Sequence, residues 1–225
     1  MRKSVLWSIA VLAIARSAAA QSDAVVIAVL PFEDRGSYGQ DKEVFRALEL
    51  GIPSALALEL GRQPRIRVAD RARVDQALKA QKLGPDARVD AATAARVGTE
   101  AGARYAVTGN FADFYGKFRI DARIVDVGSG QILKVVSNNE PALQDRAQLS
   151  RIIQTLAEKV LAGAGQTATG GPQGRLVPTE ALTQYSLGLL YENQGDKTKA
   201  GEHYQRALTA FPDYVEAREG MQRLR

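Results

Sequence analysis

The sequence predicts an α/β (α+β) fold: a mixed sheet with an antiparallel meander, packed by helices and followed by a small helical unit. Three observations predict it. Residues 24–32, AVVIAVLPF, form an almost unbroken apolar, β-rich run, the pattern of a strand buried on both faces. Between Arg104 and Val136 the apolar period switches from 3.6 to 2, as a half-buried meander requires. Beyond a stretch rich in Gly and Pro, residues 179–225 return to helical period.

The elements follow in order. Pro31 punctuates the first strand. Residues 40–62 set Val44, Phe45, Leu48, Ile52, Ala55, Leu56 and Leu60 on one side of a helix. Gly51 and Pro53 are expected to break or kink it, Pro53 being tolerable as the first residue of a second helix. Arg65 to Ala69 reads as a short strand, and Asp70 is placed to cap a helix through about Gln81. Asp90 is placed to cap Ala91–Ala101, which ends at Gly102. The meander runs from Arg104 to Tyr115, turns at Gly116-Lys117, returns from Phe118 to Val127, turns at Gly128-Ser129-Gly130 and ends with Gln131–Val136. A helix from about Leu143 to Leu161 carries Leu149, Ile152, Ile153, Leu156 and Val160 on its apolar face.

Residues 1–20 read as a signal peptide: Arg2 and Lys3 are followed by the apolar run Val5–Ala15 and by Ala18-Ala19-Ala20. That run is shorter than the roughly 20 residues of a membrane span. Residues 21–162 are expected to form one α/β domain. Residues 163–178, with five Gly and two Pro, form a flexible linker, and residues 179–225 form a helical module. Removal of Arg2, Lys3 and Arg16 leaves 27 basic against 25 acidic side chains, a near-neutral chain that argues against nucleic acid as a partner. The absence of cysteine excludes disulfides, thiolate metal sites, a cysteine nucleophile and a lipid anchor at the first mature residue. The expected location is the periplasm.

The residues offer little chemistry. His203 is the sole histidine and is expected on the exposed side of its helix, so no conventional transition-metal site can be completed. Glu33-Asp34 could pair for acid/base work but read better as a solvated loop. Ser54 and Ser129 lack a histidine partner, and no phosphate-binding GxxxxGK[ST] loop occurs. No enzymatic activity, cofactor or metal is expected. One charge cluster stands out: Arg62, Arg65, Arg67, Arg71, Arg73, Lys79 and Lys82, offset by Asp70 and Asp75. It is either a solvated surface or a dock for an acidic neighbour or anionic envelope polymer.

Two resemblances add to this reading. Leu187-Gly188, Tyr191, Gly195, Ala200, Tyr204, Ala207 and Pro212 resemble the 34-residue tetratricopeptide pattern over residues 181–214, with Gln184 departing where a bulky apolar residue is preferred. The resemblance implies a concave face of Leu182, Tyr185, Leu189, Glu192 and Asn193. A single repeat cannot bury its own apolar face. The stripe therefore either packs on the helix ending near Leu161, or on another copy, or forms a groove for a partner segment.

Over residues 24–137, the segments IAVLPFEDR, RVADRARVDQALKAQ and RIVDVGSGQIL resemble the CsgG/HfaB curli-transport family and TolB-type N-terminal domains. That resemblance implies an envelope protein that oligomerises, or regulates a partner, without catalysis. Neither hairpin is long enough to add spanning strands, so a pore made by this chain alone is not expected. The reading is an envelope adaptor that oligomerises through the α/β domain and recruits a protein through the helical unit. The alternative is an accessory regulator of a periplasmic enzyme or secretion channel.

Overall fold

The computed structural model describes residues 24–81, 88–138, 143–168 and 176–225. The expected signal peptide, Lys82 and the centre of the expected linker lie outside these residues.

Strand β1 (Val25–Asp34) occupies the interior of a mixed sheet of order β2-β1-β3-β4-β5. It pairs in parallel with β2 (Ile66–Val68) and with β3 (Tyr105–Phe114). The antiparallel meander then adds β4 (Lys117–Asp126) and β5 (Ile132–Ser137), and the two-residue β6 (Gln144–Asp145) pairs with the start of β4. Helices α1 (Lys42–Gly61) and α4 (Leu149–Gly163) cover one face, and α2 (Arg71–Ala80) with α3 (Ala91–Glu100) covers the other. In β1, Ile27 and Phe32 face α1 and α4, whereas Ala28 and Leu30 face α2 and α3. Burial on both sides is why this strand reads as an unbroken apolar run. The predicted mixed α/β fold is the one observed.

Local chemistry sets most element ends. The Asp70 carboxylate accepts from the Arg73 amide at 3.1 Å, and Asp90 accepts from Thr93 at 2.7 Å, so both expected caps are present. The first hairpin turns one residue earlier than its glycine suggests. Tyr115 (φ 54°) and Gly116 (φ 88°) form its two central positions, both left-handed, which matches the strand twist.

Two expectations are corrected. Helix α1 runs through Pro53 without interruption. A mid-helix proline costs about 3 kcal/mol. Burial of Leu48, Ile52, Leu56 and Leu60, each worth roughly 1.5–3 kcal/mol, outweighs it. The helix expected from Leu143 starts instead at Leu149, because the preceding residues are tied elsewhere. The Arg146 amide donates to the Gly116 carbonyl at 2.7 Å, and its guanidinium pairs with buried Asp113 at 3.0 Å and with Asp41 at 2.9 Å. Asp145 caps the single 3-10 turn that follows.

The C-terminal helices are α5 (Thr179–Asn193), α6 (Lys197–Ala210) and α7 (Val215–Arg223). Fully buried Tyr204 of α6 is their centre. A Cβ at Gly188 of α5 would lie 2.4 Å from its ring, and one at Gly220 of α7 would lie 2.7 Å from it. The ring is clamped where two helices lack side chains. Replacing either glycine by alanine should overpack the unit and lower stability by about 1–3 kcal/mol in urea titrations. Gly201→Ala, whose Cβ would meet Leu224 at an ordinary 3.6 Å, should not lower it.

Candidate partner-binding cleft

The C-terminal unit is seated on α1 by a stripe of small residues. Ala47, Gly51, Ser54 and Leu58 recur at helical spacing on the side of α1 away from the sheet. Ala47 clusters with Leu187 and Leu190. Ser54 shares a 3.0 Å hydrogen bond with the Tyr185 hydroxyl, and Leu58 lines a small void with Leu182, Tyr214 and Ile153 of α4. At the crossing, a Cβ on Gly51 would stand 1.7 Å from the Ser186 hydroxyl oxygen. Only glycine permits this approach.

The seat settles where the concave-face residues lie. Leu182, Tyr185 and Leu189 are 1%, 3% and 1% exposed, covered by α1 and the other C-terminal helices rather than open as a groove. Helix α4, one of the alternative supports for this stripe, contributes Ile153 beside Leu182. Glu192 is half-buried and Asn193 is exposed.

Glu192 anchors a polar cluster behind this face. It accepts from Arg223 Nε and Nη2, both at 2.9 Å, and from the Tyr204 hydroxyl. Burial raises the Glu192 pKa, but the Arg223 fork and the Tyr204 hydroxyl outweigh it and hold the carboxyl below its ordinary value. Beside it the rings of Tyr185 and Tyr214 meet at a 47° tilt with centroids 5.0 Å apart, and burial raises both phenols.

Beside the seat lies a cleft of about 110 Å³. Helix α1 leaves β1 towards one face of the sheet and α2 leaves β2 towards the other. Adjacent parallel strands whose following helices diverge leave a crevice at their carboxyl ends. Val29 and Pro31 of β1, with Val68 at the end of the adjacent β2 and Ala69 just after it, floor it. Its walls are Pro53, Ser54 and Ala57 of α1, and Arg71, Val74 and Asp75 of α2. Arg71 Nε lies 3.6 Å from Asp75 at the lip, and burial raises the Asp75 pKa against the pull of Arg71 and Lys79.

The basic cluster divides around this cleft. Arg62 is half-buried and paired with Glu59 at 2.6 Å, whereas Arg65, Arg67, Arg71, Arg73 and Lys79 are exposed. Arg71 lies within electrostatic reach of both Tyr185 and Glu192. Two residue sets read separately from the sequence thus meet at one corner.

Other candidates have structural partners. Glu33 accepts from the Val89 amide at 3.1 Å, and Asp34 accepts from the Ser37 hydroxyl and amide at 2.6 and 2.9 Å, so this pair is not a solvated loop. The Ser129 amide donates to Asp126. His203 is half-buried, not exposed: its ring stacks on Tyr191 at 5.3 Å, and Nδ1 lies 2.8 Å from Gln184 Oε1. Tyr191, whose ring meets His203 of α6, also donates its hydroxyl hydrogen to Glu43 of α1. Among the described residues no helix is long and apolar enough to cross a membrane, and no group of three or more acidic or histidine side chains is placed to hold a metal.

No family model matches the chain, and no curated protein matches it. Among solved structures it is similar to the LpoB C-terminal domain from Salmonella enterica, at 15% identity and a TM-score of 0.40, covering 52% of this chain and 82% of that one. It is similar to TolB from Acinetobacter baumannii at 22% identity and a TM-score of 0.37, covering 66% of this chain and 29% of that one. A PelC dodecamer from Paraburkholderia phytofirmans gives 16% identity and a TM-score of 0.37, covering 64% and 90%.

Gly51→Ala should force α1 and α5 apart and cost about 1–3 kcal/mol, read by urea titration, and Ser186→Gly should restore part of the loss. The pH dependence of stability provides a second check. Burial, then the nearby Arg206 and Lys199, depress the His203 pKa below its ordinary 6.5, against the opposing pull of Glu43 and Glu202. The unfolded chain therefore binds this proton first, so the contribution is complete above about pH 6.5 and is lost as pH falls below it. His203→Gln should flatten the stability difference between pH 7.5 and 5.5. An unchanged difference would remove the imidazole from the account.

Proposed function

We propose that this chain is a non-enzymatic adaptor of the periplasm that associates through its α/β unit and recruits a protein partner where the C-terminal helices meet that unit. The observation that carries the association is the outer edge of the sheet. Among the described residues β5 has β4 on one side only, and Ile132, Leu133 and Val135 along it are 45%, 48% and 56% exposed. An open, apolar edge strand is a template for pairing with another chain. The opposite edge is blunted: β2 is three residues long and carries exposed Arg67, with exposed Arg65 just before it. Short length and like charge both discourage pairing there.

One usable edge favours a single added strand over an open array. That favours the second reading, an accessory regulator making one direct contact with a periplasmic enzyme or secretion channel, and it accommodates a two-fold dimer through β5. The resemblance of the first 115 or so mature residues to envelope-associated domains supports the location.

Light scattering on the full mature chain tests the association. The wild type should show the mass of a dimer at micromolar concentration, and Leu133→Lys with Val135→Lys should yield monomer with an unchanged thermal midpoint. A monomeric wild type would exclude self-association and leave the single-contact regulator as the reading.

A further inference from the structure

The cleft between α1 and α2 has no assigned occupant, and its chemistry defines one. Its floor and walls are apolar: Val29, Pro31, Pro53, Ala57, Val68 and Val74. Its volume of about 110 Å³ suits one branched or aromatic side chain and is well below the roughly 300 Å³ at which small-molecule sites begin. The lip is polar, with the Ser54 hydroxyl on one side and Arg71 on the other. Outward from the lip the surface is basic. Exposed Arg65, Arg67, Arg71, Arg73 and Lys79 are offset in that stretch by Asp70, whose carboxylate caps α2, and by Asp75, which Arg71 and Lys79 already attract.

We propose that this cleft is an acceptor for an acidic, extended protein segment, which places one apolar side chain into the crevice and lays carboxylates along α2 and β2. The proposal rests on the adaptor reading and names the chemistry of the partner. A nonpolar anchor supplies affinity by leaving water, and the arginines supply orientation and a salt-dependent encounter rate. The seated C-terminal helices take part. Tyr185 shares a hydrogen bond with the Ser54 hydroxyl at the lip, and Glu192, within electrostatic reach of Arg71, has its carboxylate engaged by the Arg223 fork. The site therefore depends on the two halves of the chain being together.

A decapeptide of glutamates with one central leucine, labelled with fluorescein and titrated with the full mature chain, tests this by anisotropy. It should bind, and a leucine-to-glycine version should bind about tenfold more weakly. A glutamate-to-lysine version should not bind. Affinity should fall between 50 and 300 mM salt. Ala57→Leu from the α1 wall and Ala69→Leu from the floor fill the crevice and should each weaken binding about tenfold. Arg71→Ala should weaken it several-fold and flatten the salt dependence, whereas Arg151→Glu on α4 should change nothing. Equal binding of the leucine and glycine peptides would overturn the anchor, as would full affinity in both filled variants. Binding to phosphatidylglycerol vesicles in place of the peptide, unaffected by Ala57→Leu, would show a general anionic surface and overturn the proposal. The β5 lysine variants separate this from the adaptor reading. Loss of dimer with peptide binding intact concerns the edge, and intact dimer without peptide binding concerns the cleft.

Discussion

The contact at Gly51 and Ser186 is the constraint on which the rest of the structure depends. Helix α1 is buried twice, by Leu48, Ile52, Leu56 and Leu60 against the sheet and by a stripe of small residues against α5. Two-sided burial keeps the helix continuous through Pro53 and unites the α/β unit with the C-terminal helices in one apolar core. It also covers the face that a lone helical pair cannot bury by itself. What is left for partners is what α1 does not cover: the crevice beside it, the basic flank of α2 and the free edge of β5.

Much of the fold was legible in the sequence because local rules governed it. The period change marked the meander, and Asp70 and Asp90 announced two helices through carboxylates that do cap them. The start of α4 was not legible, since Arg146 obeys a tertiary demand: it neutralises Asp113, an acid buried beneath the hairpin turn. Continuity of α1 was missed because the proline rule is local and the compensating burial is not. The same holds for Glu33, which accepts from the amide of Val89, distant in the chain.

The site was legible in its parts and not in its assembly. Tyr185, Glu192 and Arg71 could all be picked out, but nothing local says that a C-terminal helix packs on α1 within electrostatic reach of Arg71. One signal was available. Ala47, Gly51 and Ser54 repeat at helical spacing opposite the large apolar residues, and a small-residue stripe on a helix with a complete core face asks for a second, closely approaching helix. The unpaired concave face of the C-terminal helices supplied the other half of that match.

The seat also orders events in time. Ser54 and Tyr185 meet across 131 residues of chain, so the outer stripe of α1 stays uncovered until the last 50 or so residues have been delivered. Contacts this distant in sequence form late and slow the collapse. For a chain threaded from its amino end, the first unit waits with an apolar helix face exposed, a window in which that face can bind a holding chaperone or aggregate. The C-terminal helices thus act as a clasp, and the α/β unit completes its packing only when they arrive.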